Sequence, residues 1–472
     1  MRPAVIRFGT DGWRAVMAAE YTFDNVGRLA LGTARWLQEQ GLASHGVVVG
    51  YDTRFLSDRF ARHVALVLAS QDIPVVLSDD FLPTPALSWA TQHYGAALGV
   101  MITASHNPPE YNGYKLKASF GGPALPETIS AIESRIPPEP PEALPDPERL
   151  RTRIRLSPIR EQFLELLRQR VNLEEIQRSG LRVLYDAMYG AGQGALRRLL
   201  GPMVREIRAT YNPGFDRQAP EPIEKHLVEL CRLVRQEGYD LGLATDGDAD
   251  RIALVDEKGR FVDSHKILAL LVRYLYEERG LRGDIVKTFS VTHMLDRMGS
   301  RYGLRVHTTP IGFKYVVRHF LEGDVLVGGE ESGGLAIKGH IPERDGLFIG
   351  LTILEMLARL RRPLSVLIDE LQRDFGPLYN QRIDVHTTEA QKAALLERIR
   401  QEGLRMLAGQ RVIAVQDLDG YKHLLEDGSW LLIRASGTEP VLRFYSEASS
   451  LERARELVEA GAGLLEDLPV AP

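Results

Sequence analysis

Residues 245–251, TDGDADR, set Asp246, Asp248 and Asp250 alternately behind the apolar run LGLA. Three carboxylates this close repel one another unless a positive charge sits among them. A hard divalent cation with oxygen ligands meets that need, and magnesium is the usual one where phosphate is handled. Arg251 adds a fixed cation beside them, suited to a phosphate oxygen. A plain acidic turn is one competing reading. An EF-hand is another, since Glu257 stands eleven residues after Asp246. It fails because Arg251 holds the position that needs glycine and the flanks are strand-like.

A second stretch, TASHNPPEYNGYK at 103–115, presents Ser105 beside His106 and ends in Lys115. A serine hydroxyl is a weak nucleophile without a base, a metal or a positive neighbourhood. Ser105 also suits a helix N-cap, although Pro108-Pro109 disfavours a helix start close by. Asn112-Gly113 is a turn signal that folds Lys115 back toward the serine, and a lysine of lowered pKa can carry a proton. By itself the stretch leaves the nucleophile and the cap both open.

Two further loops follow apolar strands. GGEESGG at 328–334 offers Glu330 and Ser332 as hydrogen-bonding groups suited to sugar hydroxyls. RASGTEP at 434–440 combines Arg434, Ser436, Gly437 and Thr438, a guanidinium fork with hydroxyls and exposed N–H groups that together cradle an anion. GAGQGA at 190–195 fits G-x-G-x-x-[GA], with Glu206 near the place of a ribose-binding acid. That raises a rival of another class, an NAD-dependent oxidoreductase. Such a site leaves TDGDADR and RASGTEP without roles.

The elements that must hold these loops alternate. NVGRLALGTARWLQEQG has helical periodicity and a glycine stop; GVVVGYDTR, IPVVLSD and GAALGVMITAS read as short buried strands around the helix RFARHVALVLASQ. This alternation predicts a largely parallel sheet covered by helices, with ligands beyond the C-terminal strand ends. IPPEPPEALPDPE at 136–148 has six prolines and reads as a stiff, extended linker. After Pro363 the pattern changes to strands of a mixed sheet and one late helix. The fold class expected is α/β: three related mixed α/β sheet domains plus a smaller C-terminal α+β domain. The boundaries expected are 1–150, 151–257, 258–372 and 373–472.

Composition narrows the class. At 472 residues the chain is too long for one ordinary core. A net charge of −5 argues against nucleic acid as a partner held by counterion release. The lone Cys231 forbids an internal disulfide, no run approaches the roughly 18 apolar residues of a membrane span, and MRPAVIRFGTDGW lacks a signal-peptide core. These features predict a cytoplasmic protein without a membrane partner. Cys231, in a helical pattern, reads as a small core residue.

With four loops in this order, from FGTDGWR at 8–14 to RASGTEP at 434–440, the sequence closely resembles the α-D-phosphohexomutase family of phosphoglucomutases and phosphomannomutases. The resemblance implies four domains, each giving one loop to a central cleft. It makes Ser105 the phosphoserine that donates and recovers a phosphoryl group. Asp246, Asp248 and Asp250 then hold Mg²⁺, with the Ser105 phosphate completing the site. Lys115 becomes a general acid/base, and Arg14, His106 and Arg251 support the phosphoserine. Glu330 and Ser332 read sugar hydroxyls. Arg434, Ser436, Gly437 and Thr438 hold the phosphate that is not reacting, and Lys287 in GDIVKTF lines the cleft. TTPIGFKY at 308–315, with Gly312 and Lys314, resembles a specificity loop.

The implied activity is interconversion of hexose 1-phosphate and 6-phosphate, with a hexose 1,6-bisphosphate as intermediate and activator. A small-molecule sugar phosphate is the partner, glucose phosphate first, with mannose and glucosamine phosphates as alternatives. A non-catalytic sugar-phosphate binder is a distant third reading. Many relatives end the sugar loop in histidine where this chain has Gly334, and His340 nearby is the candidate substitute for that acid/base.

Overall fold

In the first sheet the strand Val47–Tyr51, VVVGY, is buried on both faces and pairs in parallel with Leu98–Ile102 and Val75–Ser78. Continuous apolar strands of this kind belong in sheets covered on both sides. Ile154–Ser157 extends the parallel edge beside Val75–Ser78. At the other edge Tyr111–Ala118 runs antiparallel to Leu98–Ile102, and Trp13–Val16 runs antiparallel to Tyr111–Ala118. The helix Phe23–Glu39 covers this sheet. Its first turn is capped by Thr22, whose hydroxyl accepts from the Asn25 amide at 3.3 Å. Leu29, Val64, Val100 and Ile102 lie in the resulting core.

The computed structural model describes residues 5–9, 11–142, 147–436 and 441–466. The chain divides into two units. One comprises 1–282 with 312–367, and the other 283–311 with 368–472.

The first unit holds a second sheet, ordered Phe261–Val262, Ile252–Asp256, Leu241–Thr245, Val183–Asp186, Val204–Ile207. Its last three strands are mutually parallel and the first two turn back antiparallel. Cys231 is half-buried against this sheet's core of Leu184, Leu230 and Val255. The antiparallel pair Val325–Gly329 and Leu335–Ile337 also belongs to this unit. The helix Gly346–Leu360 follows it, capped by the Asp345 carboxylate on the Phe348 amide at 2.9 Å.

The second unit contains the parallel pair Asp284–Thr288 and Val306–Thr309. It also contains an antiparallel sheet in the order Tyr379–His386, Val441–Ala448, Trp430–Ala435, Tyr421–Leu425, Gln410–Gln416, Met406–Leu407. Leu431, Phe444 and Leu457 form its core with the helix Leu451–Gly463. Among the described residues no helix is long and apolar enough to cross a membrane.

Residues 136–142, read as linker, lie against the first helix. Ile136 packs on the core, Arg28 Nε donates to the Pro137 carbonyl at 2.7 Å, and a Cβ on Gly27 would meet Pro141 at 2.7 Å. Extended proline-rich backbone still offers apolar rings and free carbonyls, and this helix uses both.

Candidate active site

Three loops of the first unit leave C-terminal strand ends and converge. Leu98–Ile102 leads to Ser105, Leu241–Thr245 to Asp246, and Val325–Gly329 to Glu330. Ser105 is buried and sits at φ 55°, the left-handed region that non-glycine residues seldom occupy. Its hydroxyl donates to Asp246 Oδ2 at 2.9 Å. The approach depends on Gly247, where a Cβ would come within 2.4 Å of the Ser105 carbonyl oxygen. Any side chain there would push the acidic loop off the serine.

Asp246, Asp248 and Asp250 are fully buried, with one carboxylate oxygen each within 4.8 Å of one another. Burial, then repulsion from Asp248 and Asp250, pushes the Asp246 carboxyl well above its ordinary range. Burial also penalises Asp248, but the Lys115 ammonium overrides it and holds that carboxyl low. Oδ1 of Asp248 and Oδ1 of Asp250 are buried without a hydrogen-bond partner. Buried carboxylate oxygens that lack a donor fit a hard divalent cation.

Lys115 reaches these carboxylates from the neighbouring sheet. Its Nζ lies 2.8 Å from Asp248 Oδ2, 3.3 Å from Asp250 Oδ2 and 3.0 Å from Asp11 Oδ2. Burial alone would lower its pKa, yet the three carboxylates raise it above the normal lysine value. His106 Nδ1 is 3.5 Å from Ser105 Oγ. Burial, then Arg251, Arg14, Lys115 and Arg54, hold this imidazole neutral far below its usual titration. That crowd of cations is the environment a phosphate dianion would occupy favourably. Arg14 donates to Asn107 Oδ1 at 2.6 Å, and the Arg251 amide donates to Asp246 Oδ1 at 3.1 Å.

The sugar-type loop joins the same cluster. The Ile252 amide donates to the Gly333 carbonyl at 3.1 Å, and Arg251 forms an isolated bridge with Gly334. Glu330 is buried and its carboxyl is pushed up to about 7, burial outweighing the pull of Arg344. Ser332 is half-buried; Gly312, at φ 134°, opens the helix Phe313–Glu322, and Lys314 extends over the Tyr315 ring. His340, the candidate acid/base, is placed beside the start of the helix Gly346–Leu360. Its Nε2 lies 2.8 Å from Asp345 Oδ2, its ring stacks on Phe348, and its side chain is buried.

Sequence reasoning missed four contributors. Arg344 pairs with Asp11, lies 2.7 Å from Asp250 Oδ2 and 3.6 Å from Glu330 Oε2. A Cβ on Gly334 would meet its Cδ at 2.4 Å, so the missing side chain at 334 makes room for this arginine. Asp11 is held low because Lys115 and Arg344 overcome its burial. Thr84 clamps the acidic loop twice, Oγ1 to Asp248 Oδ2 at 2.6 Å and amide to the Asp248 carbonyl at 2.9 Å. Arg54 lies under the serine loop. Only the ERDG run near Gly346 carried a local signal, a paired charge before a helix cap.

The second unit carries the other predicted residues. Arg434 Nε donates to Asp419 Oδ1 at 2.8 Å and stands in register opposite Arg443. Arg443 in turn lies 3.5 Å from Asp384 Oδ2, so each guanidinium faces a carboxylate. Ser436 is buried and its carbonyl accepts from Lys392 at 3.2 Å. Gly437 and Thr438 lie outside the described residues. The Lys287 ammonium turns to Asp296 and to the Thr292 carbonyl at 3.0 Å.

Four consecutive phosphoglucomutase/phosphomannomutase families match this chain: alpha/beta/alpha domain I over 5–141, domain II over 161–259, domain III over 263–375, and the C-terminal domain over 383–463. The chain belongs to the phosphoglucomutase/phosphomannomutase family. It has that family's four-domain α/β architecture and is a phosphohexomutase, an intramolecular phosphotransferase. It is similar to a phosphoglucomutase/phosphomannomutase from Thermococcus kodakarensis, 34% identical over 98% of both chains. A phosphoglucosamine mutase from Chelativorans sp. is 31% identical, again over 98% of each. A crystal structure from Thermus thermophilus superposes with a TM-score of 0.87 at 39% identity, covering 98% of this chain and 100% of that one.

The oxidoreductase reading is overturned with this. In the GAGQGA turn, Gly190 is needed because a Cβ would meet the Asp246 carbonyl at 2.7 Å. Glu206 accepts from the Gly194 amide at 2.9 Å and the Arg197 amide at 3.2 Å, so its carboxylate already fills the helix start that a pyrophosphate would need. The glycines serve loop packing.

Proposed function

We propose that the protein interconverts glucose 1-phosphate and glucose 6-phosphate through phosphorylated Ser105, with glucose 1,6-bisphosphate as intermediate and activator. The observation that carries this reading is the Ser105 hydroxyl set 2.9 Å from Asp246, within a buried acidic trio. Asp246, Asp248 and Asp250, with the Ser105 phosphate, hold Mg²⁺. A cation held there would neutralise these oxygens and supply positive charge beside the transferring phosphoryl group.

In the first transfer the bond between phosphorus and Ser105 Oγ breaks, and a bond forms to the free hydroxyl oxygen of the sugar monophosphate. Lys115 gives its ammonium proton to the leaving Ser105 Oγ and takes the proton of that hydroxyl in its place. Arg14, Arg251 and neutral His106 stabilise the equatorial phosphoryl oxygens, where charge accumulates. Glu330 and Ser332 orient the ring, with Arg344 holding Glu330 in place. Gly312 and Lys314 line the sugar's path. Arg434, Ser436, Gly437 and Thr438 grip the phosphate that does not react. The bisphosphate then turns end for end, and its other phosphoryl group returns to Ser105.

Mannose phosphate and glucosamine phosphate are the alternative substrates, the second supported by the phosphoglucosamine mutase relative. Parallel kcat/KM measurements on the 1-phosphates of glucose, mannose and glucosamine test the preference. Glucose 1-phosphate is expected to give the highest value; a higher value for either competitor replaces it.

A further inference from the structure

We infer that Arg54, with Asp52 and Thr103, is a positioning residue that holds Ser105 in its transfer geometry. This rests on the reading of Ser105 as the phosphoryl carrier. Arg54 is buried just beyond the C-terminal end of the strand Val47–Tyr51. Its guanidinium donates to four backbone carbonyls, all within the serine loop. Nη2 reaches Ser105 O at 2.7 Å and Asn107 O at 2.6 Å; Nη1 reaches Pro108 O at 2.8 Å and Tyr111 O at 3.0 Å. Nε lies 3.3 Å from Asp52 Oδ2, and the group rests over the Phe215 ring.

The Ser105 peptide is gripped from its other side as well. Its amide donates to Thr103 Oγ1 at 2.8 Å, and that hydroxyl donates to Asp52 Oδ2 at 2.5 Å. Asp52 also accepts from the Arg54 amide and from Ser57 Oγ, both at 3.0 Å. One ion pair thus controls the Ser105 carbonyl through Arg54 and the Ser105 amide through Thr103. This double grip explains how a serine stays at φ 55°.

The clamp has an electrostatic consequence too. Four carbonyl dipoles of the loop end on a buried cation, which neutralises their negative ends beside the phosphoryl carrier. A lysine cannot reproduce this, because only a planar fork reaches four acceptors at once.

Two variants, Arg54→Lys and Thr103→Val, test the clamp against wild type. Phosphorylation of Ser105 by glucose 1,6-bisphosphate is followed by intact mass in a rapid quench. The transfer rate and kcat are expected to fall together, about a hundredfold for Arg54→Lys and roughly tenfold for Thr103→Val. KM for glucose 1-phosphate should stay within about threefold, as expected when only the transition state loses an interaction. Folded variants that transfer at the wild-type rate would overturn the inference. So would losses of kcat that track a fall in Tm and a parallel rise in KM, the mark of general destabilisation. If Arg54→Lys does not fold, Thr103→Val decides by the same readouts. Wild-type protein that takes no phosphoryl group on Ser105 fails the carrier reading, and the clamp falls with it. Wild type that labels beside equally reactive variants fails the clamp alone.

Discussion

Lys115 Nζ lies 2.8 Å from Asp248 Oδ2, a fully buried ion pair that joins two sheets 133 residues apart in the chain. Its charge and its proton can be tested separately. Lys115→Arg keeps the cation but cannot release a proton near neutrality. Lys115→Met removes both and leaves Asp248 facing Asp250. We expect kcat to fall by about a thousandfold in either variant. Only Lys115→Met should also lose stability, by roughly 3–5 kcal/mol. Arginine activity near wild type would remove Lys115 from the proton path.

Asp246 makes the opposite prediction for stability. Its carboxyl titrates well above the ordinary value because burial and two neighbouring carboxylates disfavour its charge. A raised carboxyl pKa favours the folded state while protonated, and that contribution is lost as pH rises toward the raised value. Asp246→Asn should therefore raise the Tm of metal-free protein at pH 7. The same variant should lose the upward Tm shift expected of wild type with Mg²⁺. A metal-free Asn variant less stable than wild type would contradict the repulsion.

Glu330 titrates near neutrality, its carboxyl pushed up to about 7 chiefly by burial. As an anion it accepts two hydroxyl donors, whereas the protonated acid gives up part of that capacity. The kcat/KM profile should therefore rise with pH through about 7, beyond the rise due to the substrate phosphate near pH 6. Glu330→Gln should remove that step and leave the phosphate inflection in place. The sign for stability is reversed: a raised carboxyl contributes less as pH climbs from 4.5 toward 7.

In the second unit, Lys422 is buried with Nζ 4.0 Å from the Trp430 ring centroid and 4.8 Å from that of Phe289. Burial, reinforced by Lys287, lowers its pKa to about 7, against the pull of Glu447 and Asp296. The unfolded chain then binds more protons than the folded one between pH 7 and 10.5. Stability should rise there by up to about 1.4 kcal/mol per pH unit. Urea unfolding at pH 7.5 and 9.5 measures the slope, and Lys422→Met should abolish this contribution.

The loops were legible in the sequence because their chemistry is local. TDGDADR announces repulsion between neighbours whatever the fold, and the strand before each loop is a continuous apolar run. The residues that hold those loops were not legible. Thr84 acts on Asp248 across 164 positions, and Arg54 acts on backbone carbonyls, which carry no side-chain signature. Arg344 sits in ERDG as an ordinary charge until the packing shows that Gly334 yields its space. His340 drew attention through its type, whereas its pairing with Asp345 is set by packing.

The most direct test of the account is the intact mass of protein incubated with glucose 1,6-bisphosphate and Mg²⁺, alongside isomerisation of glucose 1-phosphate. Wild type should gain a single phosphoryl group located by peptide mapping at Ser105, and Ser105→Ala should gain none and lose isomerase activity. A fully active Ser105→Ala protein, or a phosphoryl group found on another residue of wild type, would contradict it.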